Sequence, residues 1–141
     1  MRAFFAVLAC LGAAAPWAGG AAAEDFSAGA ITAPVVSFPS GTAKATVLLV
    51  SDAAGWGETE TGIAADLTAA GAIVVGVDLP SWRAGLAPEA RKCLYLVADL
   101  ETISHAVQRQ AKLDSYLPPI AAGIGAGAAQ LLAMAAQTPK A

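Results

Sequence analysis

The stretch Ala45-Thr46-Val47-Leu48-Leu49-Val50 is apolar at every position but one, and a polar loop, Ser51 to Gly57 (SDAAGWG), follows it directly. Alternating apolar and polar residues would mark a strand with one wet face. A continuous apolar run marks a strand covered on both faces, the usual condition of a parallel sheet. Ile73 to Val77 (IVVGV) repeats the pattern and ends at Asp78. Between the two, Glu58 to Ala70 has helical spacing, with Ile63 and Leu67 on one face and Gly71 at the stop. Strand, helix and buried strand in succession predict a right-handed crossover and an α/β fold built on an open, mostly parallel sheet.

The flanks extend this pattern. Upstream, Ile31 to Phe38 (ITAPVVSF) reads as a strand ended by the turn Pro39-Ser40-Gly41. Downstream, Pro80 to Pro88 reads as a loop carrying Trp82 and Arg83. Glu89 to Lys112 reads as one long helix, because Leu96, Leu100, Ile103 and Val107 form the apolar stripe that packs a helix on a sheet. Pro118 to Ala122 (PPIAA) reads as a third, shorter buried strand, and Gly125 to Gln137 as a glycine- and alanine-rich helix. With helices on both faces of the sheet, the architecture has three layers.

Composition narrows the function classes. The chain has 141 residues, 57% hydrophobic and 13% charged, with a formal net charge of -3, which excludes a disordered chain and a basic nucleic-acid footprint. A mean hydropathy of +0.60 is high for a soluble domain, yet no apolar run after the N-terminus approaches the roughly eighteen residues of a spanning helix. Part of the excess lies at the start. Met1-Arg2 is a positive n-region, Ala3 to Ala15 an apolar h-region, and Ala21-Ala22-Ala23 a small-residue cleavage pattern, so residues 1–23 read as a secretory signal peptide. Cleavage there takes the basic residues from eight to seven against eleven acidic ones, a net charge of -4, and removes Cys10. The remaining Cys93 lies in an apolar stretch, where it reads as a small buried hydrophobe, and no disulfide framework is available.

Gly123-Ile124-Gly125-Ala126-Gly127-Ala128, between a predicted strand and a predicted helix, fits two motifs. In the elbow G-x-S-x-G the flanking glycines let a strand turn sharply into a helix while the central serine is thrust toward substrate. Gly123 and Gly127 hold the flanking positions and Gly125 the nucleophile's, so the bend is available but the Oγ is not. The dinucleotide fingerprint G-x-G-x-x-G fits less well, because the third glycine is one position early and no acidic residue follows. A plain glycine-rich turn that packs a helix closely on its strand stands beside both.

Four segments together resemble the bacterial AcvB/VirJ virulence-protein family: ATVLLVSDAAGWG, VVGVDLPSW, CLYLVADLETISHAVQR and PPIAAGIGAGAAQLLAMAAQTP. The resemblance covers nearly all of residues 31–139 and implies a periplasmic protein with an α/β-hydrolase fold. Full-length members hydrolyse lysyl-phosphatidylglycerol and are linked to type IV secretion. The AcvB type has two related domains, the catalytic serine lying in the second, and the absent serine and the CLYLVADLE stretch liken this chain to the first. Residues 24–141 are therefore expected to form a truncated hydrolase-like domain acting as a scaffold or interaction module. Its expected partners are a periplasmic protein, a second copy of the chain, or a phospholipid headgroup.

The family loop after the first buried strand is Ser-Gly-Asp-Gly-Gly-Trp, whereas this chain has Ser51-Asp52-Ala53-Ala54-Gly55-Trp56. That loop supplies one N–H of an oxyanion hole and the residue after the nucleophile supplies the other. Extra Cβ atoms at Asp52, Ala53 and Ala54 restrict the backbone, so a degenerate hole is expected. No acid or histidine follows Gly127, and the single His105 precedes the elbow in mid-helix. No catalytic residue, cofactor or metal ligand set is therefore assigned. The alternative is an enzyme with an atypical nucleophile, Ser51 or Ser81, or one completed by a partner chain. Asp52, Trp56, Asp78 and Trp82 follow the C-terminal ends of two buried strands, where open α/β sheets bind ligands, and are the binding candidates.

Overall fold

The computed structural model describes residues 26–89 and 94–136. Residues 1–23, which the sequence pattern reads as a signal peptide, and Cys93 lie outside them. Four strands form one mixed sheet: β1 (Val35–Ser37), β2 (Ala45–Val50), β3 (Ala72–Val77) and β4 (Ile120–Gly123). They lie in the order β1-β3-β2-β4. β2 pairs in parallel with both β3 and β4, and β1 runs antiparallel to β3 at the other edge. The helices are α1 (Glu58–Ala69), α2 (Leu79–Leu86), α3 (Val97–Gln110) and α4 (Ala126–Ala135). The fold is α/β.

The two continuous apolar strands are buried on both faces, as their composition demands. Val47 and Leu49 of β2 join Ala72 and Val74 of β3 under α1, where Ala64 of α1 completes the layer. Leu48 and Val50 join Ile73, Val75 and Val77 on the opposite face, against Trp82 of α2, Leu100, Ile103 and Val107 of α3 and Met134 of α4. The step from β2 to β3 goes one way across the sheet, and the step from β3 to β4 returns past β2. Right-handed crossovers then require helices on opposite faces, which is where α1 and α3 sit.

Five expectations need correction. Residues 80–88 are not a loop: α2 starts at Leu79 because the Asp78 carboxylate accepts the Ser81 N–H at 2.9 Å and Pro80 occupies the first turn, where a missing N–H costs nothing. The long helix does not run from Glu89. A 3-10 turn covers Ala87–Glu89 and α3 begins at Val97, because the apolar stripe that holds it on the sheet begins only at Leu96. The first strand is confined to Val35–Ser37, with Ala28 and Ile31 bridged separately in a turn. α1 turns Glu60, Ala64 and Leu67 inward, while Ile63 is 37% exposed, since alanine lets the helix axis approach β3. β4 is not buried: it is an edge strand with Ile120 56% exposed.

Candidate functional site

The loops leaving β2 and β4 diverge to opposite faces of the sheet, because α1 and α4 lie on opposite sides. Such a divergence opens a crevice beyond the strands' C-terminal ends, the usual ligand position in open α/β sheets. Here Ser51 to Gly57 meets the turn Gly123 to Gly127. The turn is tight. A Cβ on Gly123 would lie 2.5 Å from the Ala128 nitrogen, and one on Gly127 would lie 2.6 Å from the Val50 carbonyl oxygen, with the Ser51 carbonyl closer still. Gly125 between them has φ 50° and ψ −115°, a conformation that residues with a side chain rarely adopt.

The crevice is filled from within. Oδ1 of Asp52 accepts the N–H of Ala53 at 2.7 Å and the N–H of Ala126 at 2.8 Å. The second of these crosses 74 positions of sequence and lands on the first residue of α4, where the helix dipole also favours an anion. The same carboxylate occupies the space that a side chain on Gly125 would enter. Hydrogen bonds from Ala126 first, and from Ala53 second, hold the Asp52 carboxyl below its ordinary range. The loop is not distorted by its extra Cβ atoms: its only left-handed residue is Gly55, at φ 93°, so Asp52, Ala53 and Ala54 need no strained angle. Two backbone N–H groups, one from the loop and one from the start of α4, thus converge on one oxygen.

The other polar side chains organise this arrangement. Glu60, only 5% exposed, accepts the N–H of Gly57 at 3.0 Å and that of Asp52 at 3.4 Å, closing the loop onto the start of α1. Its own backbone N–H, then that of Gly57, keep its pKa low. The buried hydroxyl of Ser51 accepts the Leu79 N–H at 2.9 Å and donates to the Asp52 carbonyl at 3.2 Å. Asp78 accepts from Ser81 and from the Trp56 N–H at 2.7 Å, and its carboxyl is lowered by the Ser81 side chain first, against an opposing desolvation.

The four binding candidates thus part company. Asp52, Trp56 and Asp78 share the loop cluster, whereas Trp82 is 1% exposed and packs in the core beneath α2. Trp56 lies across β3 at Gly76, where any Cβ would meet its ring, and its Nε1 donates to Thr61 Oγ1 at 3.1 Å. Ser81 is exposed at the start of α2. His105 is elsewhere: it stacks on Tyr116, with centroids 4.2 Å apart, on the loop entering β4, while Gly125 follows that strand's other end. No histidine therefore stands beside Ser51 or Gly125. Among the described residues no group of three His, Cys, Asp or Glu side chains converges as a metal ligand set, and no helix is long and apolar enough to cross a membrane.

Glu60 was not among the sequence candidates, although its place three residues after Gly57 is the spacing of a capping box and marks such a role. The cluster's carboxylates all serve backbone N–H groups, so the site as built holds an internal anion rather than a base or a cation. Comparison of the chain with protein-family models, curated proteins and solved structures yields no match.

Proposed function

We propose that the chain is an exported, periplasmic, non-catalytic domain of the AcvB/VirJ kind of α/β-hydrolase, serving as a scaffold or interaction module. One observation carries the reading, the Asp52 carboxylate held by the Ala53 and Ala126 N–H groups. In a hydrolase of this kind the oxyanion of the tetrahedral intermediate accepts one N–H from the residue after the nucleophile and another from the loop after the buried strand. Ala126 and Ala53 hold those positions, so an internal oxygen takes both hydrogen bonds that the reaction would need. Gly125 keeps the bend of the elbow and lacks the Oγ that would attack.

The sheet supports the same kinship. An antiparallel β1 beside β3, the parallel run β3-β2-β4, and a glycine turn from β4 into α4 are what the leading strands of a hydrolase sheet would present. The quoted segments and the leader pattern support export, and kinship to lipid hydrolases makes a phospholipid headgroup a partner class to test. The rival reading, an enzyme using Ser51, has a buried hydroxyl already engaged with Leu79 and Asp52.

The test is hydrolysis of simple esters and aminoacyl-phospholipid by the purified chain. The expected result is no turnover above the buffer rate. Turnover by the unaltered chain overturns the reading, and its loss in Ser51→Ala or Ser81→Ala would identify the nucleophile.

A further inference from the structure

β4 has a partner on one side only. Ile124 donates its N–H to the Val50 carbonyl at 3.0 Å, so even-numbered residues of this strand turn their backbone groups toward β2. By the alternation of a strand, Ala121 and Gly123 turn theirs away, and among the described residues no strand pairs with that side. Proteins commonly guard such an edge with charge, proline or a covering element. Here prolines guard only the entry to the strand, at Pro118 and Pro119, and the guard of charge is missing: from Ser115 to Ala136 no residue is charged. Ile120 and Leu132 are 56% and 74% exposed, and an apolar groove of about 440 Å³ runs between α3 and α4 with Ala121, Leu131 and Met134 in its wall.

We propose that a second copy of this chain covers the edge, β4 pairing antiparallel with its twin about a two-fold axis through Ala122. This register brings Ala121 opposite Gly123 of the other copy and Gly123 opposite Ala121, so every outward N–H and C=O of those residues is used. The neighbouring register would set Pro119, which has no N–H, against Gly123 and lose donors. Alanine at the axis and glycine beside it let two backbones reach the spacing of about 4.8 Å that pairing needs.

Charge is compatible with this partner. The chain is acidic overall, with a net charge of -3, so two copies repel except where a charge-free surface meets itself. A partner of opposite charge would gain nothing at this edge. The pairing gives content to the interaction-module reading and rests on it only in that sense, since it follows from the open edge and not from the hydrolase kinship.

Sedimentation velocity of the purified chain from micromolar to submillimolar concentration tests it, with circular dichroism and melting as controls on the fold. The unaltered chain should dimerise. Ala121→Pro removes an outward donor without touching the β2 ladder, and Ile120→Lys places a charge on an exposed site; each should weaken dimerisation by about tenfold or more with the melt preserved. If Ala121→Pro fails to fold, Ile120→Lys decides alone. A monomer throughout, or a dimer whose affinity neither substitution changes, overturns the proposal. Either result leaves the non-catalytic reading untouched, and ester turnover would leave the pairing untouched.

Discussion

Replacing Gly127 by alanine is expected to destabilise the protein although the site is helical, whereas the same replacement at Gly62 is expected to stabilise it. In an exposed helix interior alanine is favoured over glycine by about 1 kcal/mol. Gly62 is exposed within α1, and a Cβ there would meet nothing within 4 Å, so the full gain is available. At Gly127 the added Cβ would stand 2.6 Å from the Val50 oxygen and 3.0 Å from its carbonyl carbon. Ordinary contact begins near 3.4 Å, so the start of α4 must retreat from β2 by most of an ångström. Those neighbours are backbone and cannot rotate away. Overpacking of this kind costs about 1–3 kcal/mol, which exceeds or cancels the helical gain. The retreat also pulls the Ala126 N–H from Asp52, now at 2.8 Å, beyond hydrogen-bond range. Urea unfolding and thermal melting read both signs, at about 4–8 °C per kcal/mol for a domain near this size. A Gly127→Ala protein as stable as Gly62→Ala would refute the close approach on which the tight elbow rests.

Other outcomes follow from the same contacts. Asp52, Glu60 and Asp78 all have carboxyls lowered in the folded state, so the unfolded chain takes up protons first; their contribution to stability is full above about pH 5 and is lost as the pH falls through about 4 and below, which melting against pH checks. Gln108, 4% exposed, grips the Leu117 backbone at both its N–H and its carbonyl, each at 2.7 Å, so Gln108→Leu should cost about 2–3 kcal/mol by stranding those groups, measured by urea unfolding. Ser51→Ala removes the acceptor of the buried Leu79 N–H and should cost about 1–3 kcal/mol in the same assay.

What the sequence made legible was local. Continuous apolar runs identified β2 and β3 as doubly covered, and the glycine turn stood where the chain bends into α4. α2 escaped because a segment bounded by Pro80 and Pro88 has the look of a loop, whereas Asp78-Leu79-Pro80 is a helix start in which proline is welcome. β4 looked buried because an apolar composition says nothing about how many neighbours a strand acquires. The Asp52 to Ala126 bond has no local signature at all: loop and turn are far apart in sequence, and only the parallel pairing of β2 with β4 brings them together.

That pairing also governs how the chain comes together in time. Val47 meets Ile120, 73 positions later, and β1, α1 and β3 are all made before β4 exists. Until β4 arrives, β2 has a neighbour on one side only, and its open edge is available to the solvent and to other nascent chains. Contacts of such long span form slowly, because the closure entropy must be met before any neighbour repays it. A strand that is enclosed on both sides in the finished molecule is thus half open while the chain is being made, and a holding chaperone at that stage would be recognising β2.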